Sequence, residues 1–390
     1  MQMQRKKRRI QKPSKVDELM LHNILEKTAQ LKASDLFISV GLPPTVKVNG
    51  LLQSLTKSNL STSDVYKLLE QAMGSERFAK FQLDKEANYA LDLKTAGRFR
   101  ISAYMQKEKP AMVVRRIECN IPSFEELHLP EQLKGTCMAQ RGLILFVGAT
   151  GSGKSTTQAA MLGYRNQNAA GHILTIEDPI EFIHEHGHSV ITQREVGIDT
   201  ASFAQGLKNA LRQAPDVILI GEIRTQETME FILSFAETGH LCMATLHANN
   251  ANQALDRIVH LVSQERQQQF LFDLSVNLRA IVAQQLIPAF DGNGRRVAFE
   301  ILYNTPTMAD AIRTGAFHLL KDIMKNSTEL GMQTFDQALF ALYEQGAITY
   351  SETLAHADSA NDVRLMIKLN SSEAKKRSSR GALDDVTLAL

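Results

Sequence analysis

The run Gly148-Ala149-Thr150-Gly151-Ser152-Gly153-Lys154-Ser155-Thr156 has the residue types and spacing to hold a chain of phosphates. It fits the pattern G-x-x-x-x-G-K-[ST], whose glycines let the backbone curl so that successive N–H groups converge on an anion. The pattern alone gives false matches, so its surroundings decide. The apolar run Leu143–Val147 comes before it, and the helix-competent run Gln158–Tyr164 follows. A buried strand delivers the turn, and the positive end of a new helix adds to its N–H groups. All residues from Gly148 to Thr156 are therefore expected to bind nucleotide. Lys154 should reach the β- and γ-phosphates, and the Ser155 hydroxyl should ligate a metal. The expected ligands are ATP and Mg2+.

Hydrolysis at such a cradle needs one carboxylate for the metal and another for water. Two stretches offer them. Asp216-Val217-Ile218-Leu219-Ile220-Gly221-Glu222 is an apolar strand flanked by acids, with Glu222 at its C-terminal end. Ligands bind at that end in open α/β sheets. Glu177-Asp178-Pro179-Ile180-Glu181 follows a second apolar run and is turned by its proline. Any one of these acids taken singly reads as a surface residue. Their joint placement after strands assigns Glu222 to the metal and Glu181 to the base that polarises water. His240 and His247 flank the run Leu241–Leu246. An isolated histidine on an apolar strand is more often a satisfied core residue. The sharper expectation is a polar sensor of the γ-phosphate, and His240 is placed in the catalytic set.

The elements that must position these groups are short apolar runs alternating with helical patterns from Gly142 to about Ala289, as buried parallel strands require. Strands are expected at Leu143–Val147, Ile173–Ile176, Val217–Ile220 and Leu241–Leu246, with helices from Pro306 to Leu369. An α+β domain is expected at 16–117. Its amphipathic first helix carries Val16, Leu19, Met20, Ile24 and Leu31. A hairpin turns at Asn49-Gly50, and helices lie at Ser61–Met73 and Glu76–Leu83. Strands follow near Asn88–Asp92, Gly97–Tyr104 and Ala111–Ile117. Residues 118–130 read as a linker, 131–369 as the nucleotide-binding domain, 1–15 as a disordered basic arm, and 370–390 as a flexible tail.

The totals exclude several classes. The 390 residues carry a net charge of +2, so no global field favours nucleic acid or an anionic membrane. No stretch approaches the ~20 apolar residues of a membrane span. The basic N-terminus lacks a following apolar segment, so no secretory leader is expected. Three cysteines without a C-x-x-C pair argue against a disulfide framework or a zinc ribbon, and suit a reducing cytoplasm.

The cradle, Ile176–Glu181, Ile220-Gly221-Glu222, and Glu237-Thr238-Gly239-His240 through Thr245-Leu246-His247 stand in the order found in the secretion and type IV pilus ATPases. Together they make the chain resemble that family over roughly Val16 to Leu369, and within it the PilT/PilU family of retraction motors. The resemblance implies an α/β fold, with a PAS-like α+β N-terminal domain followed by a RecA-like P-loop domain and a helical C-terminal region. It implies a hexameric motor ATPase that drives type IV pilus retraction and twitching motility. The chain would lie at the cytoplasmic side of the inner membrane, on a pilus platform protein, with a second retraction ATPase as a further partner. It also implies that Arg100 and Arg115 face the nucleotide phosphates, where an always-charged guanidinium offsets developing charge. Two departures mark the chain. Gln213-Ala214 stands where main retraction motors often carry an acid, and their outer signature survives only loosely as Ala311-Ile312-Arg313-Thr314-Gly315. Both suit an accessory motor. The alternatives are a pilus assembly or type II secretion ATPase, commonly marked by a zinc insert that is missing here, a nucleic-acid translocase, and a nucleotide-binding regulator.

Overall fold

A computed structural model describes residues 20–370, apart from Asn49, Glu118, Cys119 and Asn293. The basic arm, Val16 and Leu19 of the first helix, the Asn49 corner, Cys119 and the tail beyond residue 370 lie outside the described residues. The chain divides after Asn120 into two compact units.

The first unit opens with helix α1 (Leu21–Gln30), then strands β1 (Asp35–Ser39), β2 (Thr45–Val48) and β3 (Leu51–Ser54). Helix α2 (Thr62–Asp84) and strands β4 (Glu86–Leu93), β5 (Gly97–Gln106) and β6 (Lys109–Ile117) complete it. The six strands form one sheet in the order β3-β2-β1-β6-β5-β4, with every pairing antiparallel. Strand β5 alternates inward and outward residues, burying Phe99, Ile101 and Ala103 against α1 and α2. Ser61 caps α2 in a reciprocal box with Asp64. The two helices expected at 61–73 and 76–83 are one element broken at Gly74, whose backbone leaves helical geometry (φ 72°, ψ 166°). The outer face of the sheet carries a charged row, because Lys47 pairs with Asp35, Asp35 with Arg115, and Arg115 with Arg100.

The second unit starts with helix α3 (Gln132–Cys137) and strand β7 (Gly142–Val147). Helix α4 (Lys154–Asn168) leads to β8 (Gly171–Glu177), β9 (Ser189–Glu195) and α5 (Phe203–Ala210). Strand β10 (Val217–Ile220), helix α6 (Gln226–Glu237), strand β11 (Leu241–Leu246), and helices α7 (Ala251–Val259) and α8 (Gln267–Asn277) follow. Strands β12 (Leu278–Pro288) and β13 (Arg295–Tyr303) form a hairpin. Five more helices run from Pro306 to Asn370, α9 (Pro306–Arg313), α10 (Leu320–Lys325), α11 (Phe335–Glu344), α12 (Tyr350–Ala355) and α13 (Ala360–Asn370).

The seven strands are ordered β13-β12-β7-β11-β10-β8-β9, and only β13 runs antiparallel to its neighbour. Strands β7, β10 and β11 are buried at every position, as the unbroken apolar runs require. Strands β9, β12 and β13 are absent from the sequence reading. The supposed linker also needs correction, because Phe124 and Leu129 are buried with Leu133, Phe146 and Met161 in the second unit's core. Among the described residues, no helix is long and apolar enough to cross a membrane.

Candidate functional site: a phosphate turn at the end of a parallel sheet

The strand order sets the loops after β7, β11, β10 and β8 side by side at one sheet edge, about 4.8 Å apart from strand to strand. Residues from all four loops line one cavity of about 360 Å3. Thr150, Gly151, Lys154 and Ser155 come from the first loop, His247 from the second, Glu222 from the third, and Glu177 with Glu181 from the fourth.

The turn after β7 depends on glycine at two crowded points. A Cβ at Gly148 would collide with Ser152 Oγ and with the Gln284 carbonyl, and the residue has φ +153°. Gly153 is left-handed (φ +91°) at the N-cap of α4, and a Cβ there would lie 2.6 Å from Gln284 Nε2. The buried Gln284 of β12 donates to the Ser152 carbonyl at 2.6 Å, tying the turn to the sheet. Lys154 is buried, and its Nζ donates to the carbonyls of Gly148 (2.8 Å) and Ala149 (2.9 Å). Burial pulls its ammonium pKa down, while Glu222 and Glu181 oppose that shift. The positive charge therefore sits at the mouth of the curl, within the field of both expected acids.

The acids divide by environment. Burial pushes the Glu177 carboxyl up to about 7, although Thr175 Oγ1 (2.6 Å) and Gln193 Nε2 (3.3 Å) both donate to its Oε1. Glu181 is exposed on the loop beyond the cis Asp178–Pro179 bond. Glu222 accepts from Arg224 Nε at 2.8 Å, and His247 Nε2 lies 3.6 Å from its other oxygen. Burial, and then Lys154, lower the His247 pKa, which favours a neutral ring.

His240 does not join this set, and its catalytic assignment is corrected. It precedes Leu241, which pairs with Gly142 at the start of β7, whereas Leu246 pairs with Val147 beside the phosphate turn. A six-residue strand separates the two ends by about 20 Å, so of His240 and His247 the one after β11 lines the cavity. The His240 Nδ1 is satisfied locally, 3.1 Å from the Phe235 carbonyl and 3.2 Å from Thr238 Oγ1. Arg100 and Arg115 belong to the first unit. There they pair across β5 and β6, and Arg115 Nε binds Asp35 Oδ1 at 3.0 Å. Sequence reasoning passed over Arg224, Gln284, and His184, whose ring burial pushes down to about 4. An arginine four residues past the end of a strand and a glutamine inside one carry no spacing signal.

The donor set suits Mg2+. A hydroxyl at Ser155 and a carboxylate at Glu222 are hard oxygens, and Mg2+ takes one or two protein ligands, with phosphates and water completing its shell. Among the described residues, no group of three or more His, Cys, Asp or Glu could cage a metal alone.

A curled glycine turn between a buried strand and a helix, with acids from neighbouring strand ends around its lysine, defines a P-loop nucleotide hydrolase. The comparisons narrow the class. The chain belongs to the family of type II/IV secretion system proteins, whose model matches residues 11–368. It is 59% identical over 338 residues to the type IV pilus ATPase PilU of Pseudomonas aeruginosa, covering 87% of this chain and 88% of that protein. It is 38% identical over 326 residues to the retraction ATPase PilT of the same organism, covering 84% and 94%. The crystal structure of the pilus retraction motor PilT with bound ADP superposes with a TM-score of 0.83 at 38% identity, covering 88% of this chain and 98% of that one.

Proposed function

We propose that this chain is a motor ATPase that couples ATP hydrolysis to type IV pilus retraction, and that it serves as the accessory retraction motor. The observation that carries the reading is the convergence of Lys154, Glu181, Glu222 and His247 from four adjacent loops on one cavity. The extent of similarity to PilU and PilT supports it.

In this reading Lys154 turns from the turn's own carbonyls to the β- and γ-phosphates. Ser155 and Glu222 hold Mg2+, which when bound neutralises phosphate charge. Glu181 accepts a proton from the attacking water, and neutral His247 offers a polar contact near the γ-phosphate. Arg100 and Arg115 add guanidinium charge. The first unit is read as PAS-like and the second as RecA-like with C-terminal helices. The working assembly is a homohexamer in the cytoplasm, peripheral at the inner membrane on a pilus platform protein. It works beside a second retraction ATPase and without nucleic acid. Nucleotide binding and release shift each subunit between closed and open arrangements, so sequential hydrolysis performs mechanical work.

Phosphate release by the purified chain tests the enzyme. Lys154→Ala and Glu222→Ala should each abolish turnover while the fold persists, and unchanged turnover in both would overturn the site. Imaging of pili in a deletion strain, beside one bearing only Lys154→Ala, tests the direction of work. Surplus surface pili support retraction, whereas missing pili would move the reading to assembly.

A further inference from the structure

Glu222 is already engaged by a cation of its own chain. Arg224 directs two guanidinium nitrogens onto one oxygen, with Nε donating to Oε2 at 2.8 Å and the terminal nitrogen Nη2 lying 2.7 Å from it. The two residues stand two apart in the segment between β10 and α6. The pair is lopsided. The Glu222 side chain is 19% exposed, and that of Arg224 is 62% exposed. An ion pair with one partner so open to water adds little to folding stability. Its main local effect is to occupy the carboxylate oxygen that a divalent cation would ligate. The other oxygen faces His247, a second nitrogen base.

We propose that Arg224 competes with the divalent cation for Glu222, so that metal ligation and release of the guanidinium are one event. Arg224 is thus a positioning residue. It keeps the carboxylate aimed through the contacts on Oε2, then yields it to the incoming metal. Asp178, on the loop after β8, lines the same cavity as Arg224 and gives the displaced guanidinium a carboxylate to approach. Thr225, the next residue, caps α6 through its side chain, so the exchange takes place at the root of that helix. The inference rests on the nucleotide-binding reading above and adds to it a residue that sets how tightly the metal is held.

The test is a Mn2+ titration followed by electron paramagnetic resonance, on the full chain with saturating ADP. Arg224→Gln should bind Mn2+ about three- to fivefold more tightly than the parent, the gain expected when an exposed competing pair is removed. Arg224→Lys, which keeps a cation at the site, should stay within about twofold of the parent. Arg257→Gln is the control for a general loss of positive charge, because Arg257 lines the neighbouring cavity but bonds the His247 carbonyl instead of Glu222. It too should stay within about twofold. ADP affinity in EDTA reports that each variant is folded. Unchanged or weaker Mn2+ binding in Arg224→Gln, or an equal gain in Arg257→Gln, overturns the proposal. Failure of the parent itself to bind ADP would instead overturn the nucleotide site.

Discussion

The two sheets place their polar groups in opposite ways. In the second unit, strands β7, β10 and β11 are buried at every residue, so charge is displaced to the strand ends. Lys154, Glu222 and His247 lie beyond those ends, and Glu181 beyond the end of neighbouring β8, around one cavity. In the first unit, alternating burial leaves one face of the sheet polar, and its charges form a row across the strands. A sheet covered on both faces can act only at its edges, whereas a sheet covered on one face can act along a surface. Charges gathered at an edge share a small volume and perturb one another strongly. Charges on an open face are screened by water.

Substitutions can break or sharpen this contrast. The largest effect is expected at the edge, where Lys154→Ala should lower phosphate release by about a thousandfold or more. Glu181→Gln should lower kcat by about a hundredfold with the KM for ATP little changed, as a KM-against-kcat comparison will show. Gly153→Ala forces a left-handed residue to carry a Cβ against Gln284, and should destabilise the second unit by about 1–3 kcal/mol in urea unfolding.

Glu300 probes the rule from inside the covered sheet. It is fully buried on β13, accepts from the Ala251 N–H at 2.8 Å, and burial pushes its carboxyl up to about 7. The folded chain therefore holds this proton more tightly than the unfolded chain. Stability is expected to fall as pH rises from the ordinary carboxyl value of 4.5 towards 7, and the loss is complete above that. Glu300→Gln should accordingly be more favourable at pH 8 than at pH 5, by about 1–2 kcal/mol in chemical unfolding. The smallest effect belongs to the open face. Asp35→Asn should change stability by less than about 1 kcal/mol, because Arg115, its partner, is 69% exposed. A loss there as large as that of Gly153→Ala would erase the distinction between edge and face.

The same contrast explains what the sequence disclosed. Continuous apolar runs marked β7, β10 and β11, and fixed spacing marked the phosphate turn and the acids after the strands. Strand β12 was missed because Arg279, Gln284 and Gln285 interrupt its apolar pattern, and Gln284 is spent on the turn's carbonyl. Strand β9 was missed because it lies at the sheet's edge and ends in Thr192-Gln193-Arg194-Glu195. His240 was misassigned because a histidine at either end of a strand looks alike until the strand's direction beside its neighbours is known. Arg224 stayed hidden because its partner is set by loop geometry and not by period.

Gln284 has a mechanical consequence. It fastens the turn to β12, β12 is laced to β13, and the Ile301 amide of β13 binds the Gln333 carbonyl, two residues ahead of α11. The glycine turn after β7 is thus no loose flap but one end of a hydrogen-bonded train that terminates among the C-terminal helices. A tug at its glycines is borne by that train.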